Sequence, residues 1–227
     1  MIHVSETVAL QTIEDFLTEE EAAQLVKVMD LELGASGWRP RHQADVLPAP
    51  DAALHVLHQA FDRALPTVRR TMPSIAAALR WGYTELRPGD RVPTHLDGIP
   101  DPETPPRRIG RIGVTLTDAE EGGVFYVATS SSATPWTGRA LGPDDGYQDG
   151  TRLARSLPHE AAYVREHLGE SHWISETPKT HWHTDAPART AVAYGAQLMH
   201  GVTPVRRGLA RKFVADLADG AAPGAAS

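Results

Sequence analysis

Three side chains in this sequence have the types and the spacing to gather a metal ion. The segment THLDG puts His95 and Asp97 two residues apart. On an extended strand, residues i and i+2 leave from the same face, so an imidazole and a carboxylate can reach one point. His-x-Asp alone is common by chance, and a third ligand must come from elsewhere in the chain. LMHGVTPV supplies a candidate in His200, just beyond the apolar run 191–198. Two imidazoles and one carboxylate on one side of a metal leave three positions open. Non-haem iron(II) uses that ligand set when it must bind a chelating co-substrate and dioxygen together. Zinc with the same three ligands and a water is the competing use. It would need a general base, and the His-Glu-x-x-His helix of the common zinc proteases is absent. His181 and His183 have the same i, i+2 spacing and could form a second metal site, face a substrate from a loop, or lie on plain surface.

The elements that must position these residues are readable in outline. Thr7 to Ile13 alternates and suits a strand. FLTEEEAAQLVKVM predicts a helix with Thr18 at its N-cap, Glu21 at capping-box spacing and a stripe of Leu25, Val26 and Met29. A second helix is predicted from about Asp51 to Leu65, capped by Asp51, with Leu54, Leu57, Phe61 and Leu65 on one side. From Ile75 onward, short runs of β-formers alternate with Gly and Pro turns. That texture belongs to a sandwich, jelly roll or small barrel.

Between Tyr126 and Arg189 the strand texture breaks. SSSATP, GPDDGYQDG and ETPKTHWHTDAP read as loop, and PHEAAYVREHLG as a short helix between Pro158 and Gly169. We read about 128–189 as an insertion in a single domain spanning 1–217, placed to act as a lid. Trp136, Trp173 and Trp182 within it would cover a pocket or anchor the loop. Residues 218–227, ADGAAPGAAS, read as a disordered tail.

Composition removes several function classes. The absence of cysteine excludes disulfides, thiolate metal sites and cysteine nucleophiles. A net charge of -7 argues against a nucleic-acid partner, which needs a basic surface. No window approaches the ~20 apolar residues of a membrane span, and no secretory signal is visible. The expectation is a cytoplasmic protein with neither membrane nor nucleic-acid partner. The sequence leaves the oligomeric state open.

Taken together, these segments resemble the prolyl 4-hydroxylase-like branch of the iron(II)/2-oxoglutarate dioxygenases. Tyr83-Thr-Glu-Leu-Arg-Pro-Gly-Asp followed by His95-Leu-Asp97 resembles that family's strand, turn and first ligand pair. Glu121-Gly-Gly-Val-Phe resembles its double-glycine approach to a strand. His200-Gly-Val-Thr-Pro-Val, with Gly208 and Arg211, resembles its distal histidine block. IEDFLTEEEAAQLV resembles its opening. The resemblance covers most of the chain outside roughly 128–189.

It implies a mainly β protein with flanking helices, a double-stranded β-helix or distorted jelly roll. It implies iron(II) on His95, Asp97 and His200, with 2-oxoglutarate and dioxygen consumed and succinate and carbon dioxide released. A base about ten positions after the distal histidine would bind the far carboxylate of 2-oxoglutarate. Arg211 lies eleven after His200 and Lys212 twelve. Neighbours on a strand face opposite ways, so only one can serve. Arg211 is preferred because Phe213 and Ala215 would share its inward side and a guanidinium grips a carboxylate bidentately. Lys212 and Arg207 remain alternatives. Tyr83 and Thr115 lie on strands that would face the co-substrate. With Asp97 present, the exchange that opens a halide site in related halogenases is absent.

For the substrate, Arg107, Arg108, Arg111 and Trp182 are candidates, the arginines suiting a substrate carboxylate if they point inward. The size, with no appended peptide-binding domain, favours a small molecule, such as a free amino acid or a natural-product intermediate. Hydroxylation, desaturation, ring closure and epimerisation can all follow from one hydrogen abstraction. A peptidyl prolyl hydroxylase and a non-catalytic jelly-roll binding protein are the competing readings. The latter would show no 2-oxoglutarate turnover.

Overall fold

The capping box forms as its sequence predicts. In this computed structural model, which describes residues 2–40, 45–130, 142–146, 170–176, 179–184 and 186–220, helix α2 covers Glu19–Ser36 after a short helix α1, Val4–Thr7. The Thr18 hydroxyl accepts from the Glu21 N–H at 3.1 Å, and the Glu21 carboxylate accepts from the Thr18 N–H at 2.9 Å. Gly37 ends the helix at φ 64°, a left-handed conformation that costs glycine little.

Helix α3 runs from Asp51 to Val68, three residues past the predicted end. Pro66 forfeits one hydrogen bond in its last turn, but buried Val68 continues the apolar stripe. Pro50, not Asp51, is the N-cap. Asp51 is the first helical residue, where its charge meets the positive end of the helix dipole.

The strands are β1 Leu10–Ile13, β2 Leu47–Pro48, β3 Ala77–Leu86, β4 Val92–His95 and β5 Arg108–Thr117. They continue as β6 Phe125–Ser130, β7 Lys179–His183, β8 Ala191–Gly195, β9 His200–Val202 and β10 Ala210–Ala218. They form two antiparallel sheets, ordered β1-β8-β5-β10-β3-β2 and β4-β9-β6-β7. This is the distorted jelly roll that the resemblance implies.

Helices α2 and α3 cover one face of the larger sheet. Leu25, Met29, Val56, Leu57 and Phe61 pack there against Trp81, Tyr83, Ile112, Val114, Phe213 and Ala215. Burying such side chains contributes about 1.5–3 kcal/mol each, so this layer carries most of the hydrophobic stabilisation. The other face of the larger sheet looks toward the smaller sheet, where Leu86, Val202, Val205 and Ala210 form a second, smaller cluster. The larger sheet is thus buried on both sides.

Two sequence boundaries need correction. KTHWH, read as loop, is strand β7, paired with β6 from Tyr126↔His183 to Ser130↔Lys179. The segment interrupting the strand series therefore starts after Ser130 and stops before Lys179. Within it, Pro143–Asp145 forms a 3-10 turn and His172–Glu176 a short helix, α4, with Trp173 exposed. The helix expected in PHEAAYVREHLG and Trp136 lie outside the described residues. The tail was placed too early: Ala218 closes β10, and Asp219 accepts from the backbone N–H of Arg107 at 2.7 Å. Among the described residues, no helix is long and apolar enough to cross a membrane.

Candidate metal centre

His95 is the last residue of β4 and His200 the first of β9, and the register pairs them directly. Directly opposed residues share a face, so the two rings sit side by side with centroids 4.3 Å apart. Each ring is oriented through its Nδ1, which lies 2.9 Å from the Pro93 carbonyl in His95 and 2.8 Å from the Leu198 carbonyl in His200. A carbonyl only accepts, so Nδ1 carries the proton and Nε2 is left with its lone pair. This is the tautomer a metal requires, fixed by the backbone. Burial and the neighbouring His95 push His200 down to about 4, so its ring is neutral near pH 7 and able to offer Nε2 to a metal.

Asp97 arrives differently. It stands two residues beyond the end of β4, so strand alternation does not place it. Its Oδ1 lies 3.8 Å from His95 Nε2 and its Oδ2 3.7 Å from His200 Nε2. One ligand atom from each of the three residues falls within 4.8 Å of the others. Among the described residues, Oδ2 is buried with no hydrogen-bond partner. A buried carboxylate oxygen in that condition is costly unless a cation satisfies it. Two bare Nε2 atoms and an orphaned anionic oxygen therefore fit a divalent metal, and the nitrogen and oxygen donors suit iron(II).

His95 and His200 line a cavity of about 700 Å³ between the sheets. Phe125 stacks on His200 at 5.6 Å, and Tyr194 lies 4.4 Å from the same ring. Burial first, then the charge of Asp97, raises the Tyr194 phenol well above its ordinary range, so it stays protonated.

Deeper along the larger sheet, Lys212 pairs with Thr84 on β3 and Thr115 on β5. All three line the cavity. Among the described residues no carboxylate lies within ion-pair distance of the Lys212 ammonium. Burial lowers it to about 8, opposed only by the more distant charge of Asp118.

Several site expectations are redirected by the fold. Arg211 and Tyr83 occupy the opposite, helix-backed face. The Arg211 guanidinium donates to the Tyr83 hydroxyl and, at 2.8 Å, to Asp30. The Tyr83 hydroxyl in turn donates to Glu85 at 2.8 Å. Phe213 and Ala215 do share the side of Arg211, but that side faces the helices. Arg207 is a surface residue paired with Glu120. Thr115 faces the cavity as expected, and its partner Thr84 was missed. Thr84 could have been found from the register that carries Thr115, had the inner face been known.

Among the candidate substrate residues, Arg107 is committed to Asp219, and Arg108 to the backbone oxygens of Asp97 and Gly98. Only Arg111 lines the cavity, and it donates to Asp97 Oδ1 at 3.1 Å. Trp182 shares the face of Val127 but is not among the cavity-lining residues, and its indole N–H donates to Thr129 at 2.9 Å. His181 stacks on Tyr126 at 4.0 Å on the face away from His200, while His183 reaches the cavity lining. The two do not join a metal-binding group among the described residues.

No family model and no curated protein matches the sequence. Solved structures do. A Pseudomonas putida prolyl-4-hydroxylase is 13% identical, with 93% of each chain covered and a TM-score of 0.55. The viral collagen prolyl hydroxylase of Paramecium Bursaria Chlorella virus-1, solved as a 2OG complex, is 13% identical, covering 95% of this chain and 99% of that one at a TM-score of 0.51. SnoK, a non-heme alpha ketoglutarate dependent carbocyclase from nogalamycin biosynthesis, is 13% identical over 94% of this chain and 80% of its own, at a TM-score of 0.51. The fold is that of the iron(II)/2-oxoglutarate oxygenases. Within that class it has the prolyl 4-hydroxylase-like form.

Proposed function

We propose that this protein is a non-haem iron(II), 2-oxoglutarate-dependent oxygenase acting on a small molecule. One observation carries the reading: among the described residues, the Nε2 atoms of His95 and His200 and an Asp97 oxygen without a hydrogen-bond partner converge beside a cavity lined by an unpaired Lys212.

His95, Asp97 and His200 would hold the iron. Once bound, the iron would supply the coupling of 2-oxoglutarate decarboxylation to oxidation of a substrate C–H bond by dioxygen. The chain's own residues do the rest. The Lys212 ammonium is a charge-assisted donor for the distal carboxylate of 2-oxoglutarate, with the Thr84 and Thr115 hydroxyls in the same row. Phe125 and Tyr194 shield the ligands from water on one side, and His183 and Thr184 line another part of the cavity. A cavity of about 700 Å³ is in the range of small-ligand sites. This supports a small molecule over a folded protein segment, and SnoK is a neighbour from a natural-product pathway.

The test is anaerobic reconstitution with iron(II), followed by 2-oxoglutarate. A weak visible charge-transfer band should appear on the second addition. Succinate release is then screened with amino acids, small carboxylic acids and a proline-rich peptide. Absence of both iron binding and the band would overturn the oxygenase assignment. Succinate release driven by the peptide alone would replace the small-molecule reading with a peptidyl prolyl hydroxylase.

A further inference from the structure

Asp97 is the ligand that the β-sheet supports least. The two histidines are locked by the β4–β9 register, whereas Asp97 sits on the loop that leaves β4. What holds that loop comes from the larger sheet and the turn before His200. The Gly98 N–H donates to the Ala196 carbonyl at 2.8 Å. Arg108 donates from Nη2 to the Asp97 carbonyl at 2.7 Å and to the Gly98 carbonyl at 3.1 Å. Arg111 donates from Nη1 to the Asp97 carboxylate itself.

Both arginines belong to β5, and both turn to one acidic group on β10. Asp216 Oδ1 lies 3.7 Å from Arg108 Nη1 and 3.4 Å from Arg111 Nε. Arg111 and Asp216 are direct register partners in that strand pair. The two arginines and two aspartates balance in charge, with Arg80 adding an exposed contact to Asp216 at 3.4 Å. Arg111 therefore has its charge matched before any substrate arrives. That explains why a cation lining the cavity is better read as serving the metal ligand than as binding a substrate acid.

We infer that Arg111, seated by Asp216, is a positioning residue for the metal carboxylate. By occupying Oδ1 it would leave Oδ2 as the oxygen that Asp97 offers to a metal. This inference rests on the metal reading above and adds a requirement to it: the geometry of the guanidinium, not merely its charge, must matter.

Charge and geometry predict opposite signs, which makes the inference testable. A cation beside a dication repels it, so if Arg111 acted only through its field, Arg111→Gln would tighten metal binding and Arg111→Lys would leave it unchanged. If Arg111 sets the carboxylate, both variants weaken binding. The measurement is manganese(II) affinity, read from the free-ion signal in electron paramagnetic resonance titrations without turnover. Arg111→Lys and Arg111→Gln should each weaken binding by about 10- to 100-fold, the usual range for groups that orient metal ligands. Asp216→Asn, which keeps Arg111 but removes its seat, should lose about tenfold, the lower end of that range. It serves as the test if the Arg111 variants do not fold, and unchanged affinity in it then overturns the inference. Unchanged affinity in Arg111→Lys, or tighter binding in Arg111→Gln, overturns it too. The wild type and His200→Ala run alongside. If the wild type takes up no manganese(II), the metal centre itself falls; if it binds and the variants bind equally, only the role of Arg111 falls.

Discussion

Arg211 and Lys212 are adjacent cations on one strand, and the fold sends them into opposite surroundings. On the helix-backed face, Arg211 meets Tyr83, Asp30 and, at 4.0 Å, Glu85. Its Nε and Nη2 both donate to protein partners, and the result is a structural network beside Trp38, whose ring meets Tyr83 edge-on at 6.3 Å. On the cavity face, Lys212 sits in a row of small hydroxyls, its ammonium without an ion pair among the described residues. A buried cation already satisfied by the protein is part of the scaffold. One that is desolvated and left unpaired gains most from an arriving anion.

Three comparisons would break or sharpen that contrast. The largest effect belongs to the cavity side: His95→Ala or His200→Ala should abolish iron(II) binding and succinate release together, measured by metal analysis and product assay. Neither should much disturb the helix-backed core, so a cooperative thermal transition should survive. Retained iron binding in both variants would show that the metal lies elsewhere.

Next comes the swap across the strand. Lys212→Met should weaken 2-oxoglutarate binding by roughly 10- to 150-fold, the equivalent of a charged hydrogen bond worth about 1.5–3 kcal/mol. Arg211→Met should leave that affinity alone and instead cost about 1.5–3 kcal/mol of folding stability, because the buried Tyr83 hydroxyl loses its charged donor, while Glu85 keeps Arg87 at 3.1 Å. Equal loss of 2-oxoglutarate affinity in both variants would erase the distinction between the faces.

The pH dependence of the same site follows from Lys212 titrating at about 8 when no anion is present. A bound carboxylate favours the ammonium, so the complex holds its proton to higher pH than the free protein does. Affinity for 2-oxoglutarate should then be constant below about pH 8 and fall above it, by up to about tenfold per pH unit. Asp118 also lines the cavity, and its charge opposes the lowering of Lys212. The fall should vanish in Lys212→Met.

The same contrast explains what could be read from the sequence. Short alternating strands and the Thr18–Glu21 capping box lead to the fold class and to α2. His95, Asp97 and His200 were legible as a set, because THLDG and LMHGVTPV are modest signals singly and resemble one family only in their joint order and spacing. The choice between Arg211 and Lys212 was not, because each face of β10 carries one cation beside apolar residues, Arg211 with Phe213 and Ala215 and Lys212 with Val214. Phe213 and Ala215 point to the helices while Val214 points to the cavity, and a one-residue change of register exchanges the two sets. The roles of Arg107, Arg108 and Arg111 were hidden for another reason. Their partners Asp216 and Asp219 lie on the last strand and its end, and only folding brings β5 and β10 together. Strand β7 was masked by the turn-rich segments around it, although THWH already alternates.

The smallest of these effects tests whether the two faces are energetically separable. The Thr18 cap sits at the start of α2, on the far side of the larger sheet from the cavity. Thr18→Ala removes one acceptor for a helix N–H and leaves Glu21 with half of its reciprocal pair, a loss of about 1 kcal/mol. Glu21 retains its ion pair with Arg63 at 2.6 Å, so the helix should not unravel. Denaturant unfolding should register the loss as a lower midpoint with unchanged slope. Metal and 2-oxoglutarate affinities should stay at wild-type values, since Leu25 and Met29 still press on the outer face while Lys212 and the histidines lie on the inner side of the sheets. A parallel drop in 2-oxoglutarate affinity would mean that the helix layer sets the geometry of the cavity, and that the sheet between them transmits strain.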